Sequence, residues 1–421
     1  MSLIDYLAFA ARHRRFLAFG FLLTFASSAG QTFFIGLFGP DIREVFGLSH
    51  SGWGSLYLVG TLASALVLPW TGQLIDRWDL RWYITFALTG LAFACFMLSI
   101  AHSIAMLAVA IFLLRQMGQG VTSHAAATSM ARYHAEGRGK ALAIASTGMA
   151  FGEAILPVLA ILSIASVGWR STYGAASAMI LLILLPLALL LLRGHGDRHR
   201  RYLSSAVSEK LNDRPAVPDR DRWQLLTELR FYLLLPAFTA PSVIMTALFF
   251  HHLTLAEGKG WSAAWMTGNY WVFALSAMVS SLAAGPMIDR LSARRIMPLF
   301  LLPMVLALIL LAPSTAAVWL LPYLALLGLT SGLAFTGFTA LWVELYGTAH
   351  LGAIRSTAAA ISVFASALGP VLAGMLLDVG IPMETIGLGF AAYCLIATVL
   401  LLLALRLPDV RLAPNRLGHS G

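Results

Sequence analysis

The chain is 421 residues long, and 59% of its residues are hydrophobic while only 11% are charged, against roughly 25% charged in soluble globular domains. That balance excludes a soluble fold, because no globular interior could hide so much apolar surface. The net charge of +9 would suit a nucleic-acid partner, but the basic residues are placed as membrane topology requires, and no nucleic acid is called for.

Apolar runs long enough to cross a hydrocarbon core of about 30 Å as helix recur twelve times. The first predicted span, 16–38, follows Arg12, Arg14 and Arg15 and is too long for a signal h-region, so it is expected to be retained. It carries Ser27, Ser28, Gln31 and Thr32, then Phe33 and Phe34; such a cluster either glues helices together or lines a cavity. The second span, 52–73, runs into GQLIDRWDLR, Gly72 to Arg81, and the third covers 82–101. The fourth, 104–130, holds Arg115 near mid-membrane, where an arginine costs about 3 kcal/mol unless it faces water or a partner. Gln119 and Thr122 follow at four and seven residues, which puts all three on one face of an α-helix as a polar stripe. His124 lies nine residues from Arg115, about 180° around the helix. The fifth span, 141–165, contains Glu153, the one acid deep within a span, and Gly148, Gly152 and Pro157, which permit close helix approach and bending. The sixth covers 172–193.

Gly194 to Arg230 is the one long polar stretch and reads as a solvated linker between a first bundle, 1–193, and a second, 231–421. A short interfacial helix is expected from Trp223 to Leu229. The remaining spans are 231–255, ending on His251 and His252; 263–286, with Asn269 and Tyr270; 296–313; 316–345, with Glu344 at its end; 355–378, with Gly369, Pro370 and Gly374; and 385–406. Cys95 and Cys394 both fall in apolar runs, so neither a disulfide framework nor a metal site is expected.

The chain is built twice. Gly72, Ile75, Asp76, Arg77 and Arg81 recur as Gly285, Ile288, Asp289, Arg290 and Arg294, each 213 residues on. The same shift lays Tyr133 on Tyr346, Gly139 on Gly352 and PVLA at Pro157 on PVLA at Pro370. With a cytoplasmic N-terminus, 24 of the 28 basic residues fall on the cytoplasmic side, Arg43, Arg170 and Lys259 fall outside, and Arg115 lies within a helix. The positive-inside rule therefore puts both termini in the cytoplasm, in what we expect to be a bacterial inner membrane.

Twelve spans in two halves, each with G-x-x-x-D-R-x-x-x-R between its second and third helices, resemble the major facilitator superfamily. The resemblance extends to GWGS at Gly52, RGKA at Arg138, GWR at Gly168 and the arginine of RQMGQG at Arg115. It departs at Asp79 and Ser292, where the family loop usually has glycine. It implies an all-α membrane protein of two pseudo-symmetric six-helix halves that rock around a central cavity lined by the first, fourth, seventh and tenth helices.

On that resemblance the substrate cavity is expected to include Arg115, Gln119, Gln31, Thr32, Asn269 and His251. Glu153 and His124 are the candidates for proton coupling, and an Arg115–Glu153 ion pair is the competing reading. Gly72, Asp76, Arg77, Arg81, Gly285, Asp289, Arg290, Arg294 and Glu344 form the gating loops. Physically, Asp76 and Asp289 can accept hydrogen bonds from arginines or from a helix N-terminus in the opposite half, in one orientation of the halves only.

HAEGRGKA lacks the first glycine and the final Ser or Thr of a phosphate-binding loop, and GLGFAA lies in an apolar helix without a preceding strand. No nucleophile with its base, HExxH or nucleotide site is present, so neither an enzyme nor a pump is indicated, and no cofactor. Secondary transport of a small molecule remains, with the proton as coupling ion and a monomer in the bilayer as the family default. ELYGTAHLGAIRS, Glu344 to Ser356, resembles the monocarboxylate and oxalate–formate porter branch, which implies an organic-anion symporter. No arginine or lysine lies between Ala263 and Pro286, so Arg115 alone would carry the anion. Proton-driven efflux of a lipophilic compound is the alternative, and a non-transporting sensor on the same scaffold the lesser one.

Overall fold

Every long apolar run of the chain is helical, as backbone groups in hydrocarbon must be bonded within their own segment. The computed structural model describes residues 3–134, 137–200, 227–346 and 351–407. Most of the predicted linker and interfacial helix (201–226), residues 347–350 within ELYGTAHLGAIRS, residues 135–136 and the chain ends lie outside the described residues, as do the side chains of residues 3–8, Arg138, Asp289 and residues 351–356.

Ten helices among the described residues are long and apolar enough to span a membrane, and a bent pair, Phe9–Gly30 with Thr32–Phe46, adds an eleventh. The stretch Gly139–Leu191, 53 residues, would be about 80 Å long as one helix. It breaks at Gly168, whose φ of +81° and ψ of 161° are non-helical, and so supplies two spans and a total of twelve. We number them α1 (Leu3–Ser27), α2 (His50–Arg77), α3 (Leu80–Ser99), α4 (Ile104–Tyr133), α5 (139–167), α6 (169–191), α7 (Leu229–Phe250), α8 (Ala263–Ile288), α9 (Ala293–Leu311), α10 (Ala317–Tyr346), α11 (Leu351–Asp378) and α12 (Met383–Arg406). The protein is all-α, with two pseudo-symmetric halves of six spans.

Two spans depart from the straight helices the hydropathy predicts. The first bends by 45°. Its 3-10 turn Ser28–Gly30 and the extended Gln31 (φ −87°, ψ 154°) interrupt the ladder, at a run of residues that favour turns over helix interiors. In α4, residues Arg115–Thr122 form π-helical turns. The Thr122 hydroxyl donates to the Met117 carbonyl at 2.6 Å, five residues back, so the side chain folds onto its own helix. The stripe of Arg115, Gln119 and Thr122 assumed α-helical spacing, and the wider turn takes Thr122 off that face.

Small and hydroxyl residues set the helix spacing, as expected where lipid supplies no hydrophobic drive between helices. Gly148 and Gly152 of α5 lie against Phe21 and Ser28 of the first span, and Gly328 and Gly332 of α10 against the α8 backbone. Ser280 and Ser281 of α8 bond to Leu329 and Thr336 of α10 at 2.8 Å each.

The duplicated loops have diverged. Asp79 takes φ −57° and caps α3, accepting from the Arg81 N–H at 2.8 Å. Ser292 keeps the left-handed backbone with φ +72° and ψ 150°. Beside it Glu344 accepts from the N–H groups of Ala293 and Arg294 at 2.6 and 3.1 Å, which caps α9 from α10.

Candidate functional site

Arg115 is among the largest fully buried side chains, at 1% exposure. Its Nε donates to Thr61 Oγ1 of α2 at 3.1 Å and its Nη1 to the Gly30 carbonyl at 3.0 Å. That carbonyl is free because the first span breaks there, and the helices must nearly touch to deliver it. A Cβ on Gly30 would lie 2.8 Å from the Gly118 Cα in the π-helical turn, a distance no side chain tolerates. The guanidinium carbon sits 4.9 Å from the centre of the Tyr57 ring. Among the described residues Arg115 forms no ion pair, and its Nη2 is neither bonded nor fully enclosed. The cation is thus held by a carbonyl, a hydroxyl and a ring face, with a donor to spare.

Thr32 bonds the Tyr57 hydroxyl, so the first span orients the ring that faces Arg115. Gln31 and Gln119 are half-buried beside the same break. Glu153, on the neighbouring α5, makes no hydrogen bond or ion pair with any described residue. It lies within electrostatic reach of Tyr270 in the opposite half rather than of Arg115. The competing Arg115–Glu153 ion pair is absent.

Other candidates fall elsewhere. Asn269 donates to the Trp265 carbonyl one turn back at 2.7 Å, at the break inside α8. His251 bonds the Pro370 carbonyl at 3.0 Å and its ring lies 5.8 Å from that of His50, which places it at the contact between the halves. His124 is within 3.3 Å of the Thr128 hydroxyl and lines a 360 Å³ cleft with Leu68, Gly72, Gln73 and Asp76, toward the loop end of α2 and α4. Asp76 pairs with Arg132 at the end of α4 in its own half. Arg77, Arg81 and Arg290 are exposed, Gly285 is half-buried, and Arg294 donates to the Glu344 carbonyl at 3.3 Å.

Two sets of contacts are not legible in the sequence, which offers His252 only as the neighbour of His251 at a span's end. His252, 1% exposed, engages Tyr270 through Nδ1 at 2.8 Å and Tyr323 through Nε2 at 3.0 Å, tying α8 and α10 to the end of α7. The second is a closure at the end of the bundle remote from the two loops. Asp378, the last residue of α11, accepts from the backbone N–H groups of His50 and Ser51 at 2.8 and 3.0 Å, so it caps α2 across the two halves. A Cβ on Gly374 would lie 2.7 Å from His50 and one on Gly54 2.9 Å from Pro370, so α2 and α11 touch backbone to backbone. Phe250 stacks on Trp53 at 5.4 Å and packs on Tyr57 at 4.8 Å, covering the Arg115 site from that end.

The family model described as Major Facilitator Superfamily matches residues 20–359 and 271–420. No curated protein matches the chain. Among solved structures, a bacterial homolog of the human lysosomal transporter Spinster, inward-facing and occupied, superposes with a TM-score of 0.69 at 15% identity, covering 95% of this chain and 97% of that one. The nucleoside transporter NupG superposes with a TM-score of 0.71 at 13% identity, covering 94% and 99%. At such identities the likeness is one of fold.

Proposed function

The chain belongs to the Major Facilitator Superfamily, and from that premise we propose that it carries a small organic anion across the membrane together with protons, by alternating access of two halves, 1–193 and 231–421. The observation that carries this reading is Arg115, a buried cation whose described partners are all neutral. A carboxylate is the ligand that a guanidinium with donors to spare accepts best, through paired, charge-assisted hydrogen bonds. Burial near mid-membrane makes that cation costly unless a ligand or water compensates it. Glu153, unpaired and facing the opposite half, is the proton carrier of this scheme. The monocarboxylate and oxalate–formate porters supply the substrate class by resemblance.

With the loops placed in the cytoplasm, the Asp378 cap, the α2–α11 backbone contact and the Phe250 stack lie on the outer side and join the halves there. An anion would then leave toward the cytoplasm, and the return would require Asp378 to release α2.

Proteoliposomes with a trapped pH dye test the reading. Adding a small carboxylate acidifies the interior if anion and proton enter together, and Arg115→Ala abolishes the signal at unchanged insertion. Arg115→Lys keeps the charge but loses the fork, and is expected to lower the rate at least tenfold. Glu153→Gln is expected to keep carboxylate exchange and lose acidification. Alkalinisation on adding a lipophilic cation to acid-loaded vesicles, with no carboxylate response, would replace this function with proton-driven efflux.

A further inference from the structure

Between the start of α1 and the end of α6, at the loop end of the first half, lies a cleft of 530 Å³ lined by Arg14, Arg15, Ala18, Leu190, Leu191 and Arg193. All six residues come from the first half and none reaches the Arg115 site, so the cleft is separate from the transport path. Its level is fixed by the helices. The α6 helix ends at Leu191, which puts the arginines at the water-facing rim and the aliphatic residues at the top of the hydrocarbon.

Three guanidiniums in one cleft repel each other, yet among the described residues none of them meets a carboxylate. The nearby Asp197 pairs with Arg200. Arg15 is fixed in place, since it donates to the Leu190 carbonyl at the α6 terminus. Below the arginines Leu190 and, one turn deeper on the same face, Leu187 remain 44% and 40% exposed, which continues the cleft into an aliphatic track. Topology asks only for positive charge on this side. It does not ask for three arginines around a concave, apolar-floored cleft.

We propose that this cleft binds an anionic phospholipid, its phosphate held by Arg14, Arg15 and Arg193 and an acyl chain laid along Leu190 and Leu187. A phosphate oxygen pair matches the guanidinium fork, and basic pockets between membrane helices on this face suit acidic headgroups. The shared chemistry with a free phosphate is the anionic oxygen pair. The aliphatic track is what favours the lipid.

Native mass spectrometry of the full-length protein, with phosphatidylglycerol and phosphatidylcholine of identical acyl chains in competition, tests the site. The wild type is expected to retain phosphatidylglycerol preferentially. Arg14→Gln/Arg193→Gln, which leaves the Arg15–Leu190 contact intact, is expected to lower the bound glycerol-to-choline lipid ratio at least fivefold while choline-lipid binding is unchanged. Arg12→Gln removes one positive charge from α1 outside the cleft and is expected to leave the ratio unaltered, which also controls for insertion. Equal retention of the two lipids, an unchanged ratio in the double variant, or an equal fall in Arg12→Gln would overturn the site. Complete displacement of phosphatidylglycerol by millimolar inorganic phosphate would overturn the lipid assignment in favour of a free anion.

Discussion

Ser292 has the least comfortable backbone among the described residues. Its φ of +72° with ψ 150° falls in a region almost confined to glycine and costs a side-chain-bearing residue about 1–3 kcal/mol. The Glu344 caps on the next two N–H groups hold it there. Ser292→Gly is therefore expected to raise stability by about 1 kcal/mol, seen as a higher melting temperature in detergent, and Ser292→Val to lower it. An unchanged melting temperature in both would mean that the turn relaxes. The departure from glycine was legible in the sequence, but its energetic consequence was not, because the capping carboxylate comes from 52 residues downstream. Arg115 was legible as a costly mid-membrane charge. Its partners were not, since Gly30 and Thr61 meet it only through the fold.

Among the elements, the segment 195–200 that opens the predicted linker is helical and packs against the ends of α1 and α4. Tyr133 bonds His199 Nδ1 at 3.0 Å and meets the His195 ring at 5.1 Å, while His134 lies 5.1 Å from His13. Burial, helped at His134 by the His13 charge, pushes His134 and His195 down to about 4. Both are buried, at 6% and 1% exposure, with an unbonded Nδ1. In the unfolded chain a histidine titrates near 6.5, so between pH 6.5 and 4 the unfolded form binds more protons and stability falls as the pH drops. A lower melting temperature at pH 5 than at pH 7.5 is expected, with a smaller difference in His134→Leu/His195→Leu. An identical pH difference in that variant would assign the effect elsewhere. Hydropathy alone located all twelve spans. The first span's bend and the π-helical turns of α4 escaped it, because the pattern of apolar residues carries no record of a carbonyl diverted to an arginine or of a hydroxyl bonded five residues back.

At the scale of the whole molecule, the repeat predicted the two halves and their loops, while the contact that joins the halves at the remote end went unread. Asp378 and His50 are 328 residues apart in the chain, and nothing local marks either as a partner of the other. Two charge-assisted bonds at a helix N-terminus contribute about 1–2 kcal/mol, enough to shift a two-state equilibrium by roughly 5- to 30-fold. Asp378→Asn is thus expected to enlarge the population open at that end. Spin labels at Val45 and Val379, both exposed and in opposite halves, report it as a longer distance; Cys95 and Cys394 are buried and leave the labelling clean. An unaltered distance distribution would show that backbone packing of Gly54 and Gly374 alone holds the closure.

Two of the donors to Asp378 belong to the main chain of residues 50 and 51, beside the hydroxyls of Ser49 and Ser51. Side-chain replacement there leaves both N–H groups in place, except for proline. The resting orientation can consequently be retuned by one letter at position 378, while the main-chain half of its counterpart survives most replacements at positions 50 and 51: an adjustable lock whose keyhole is largely peptide backbone.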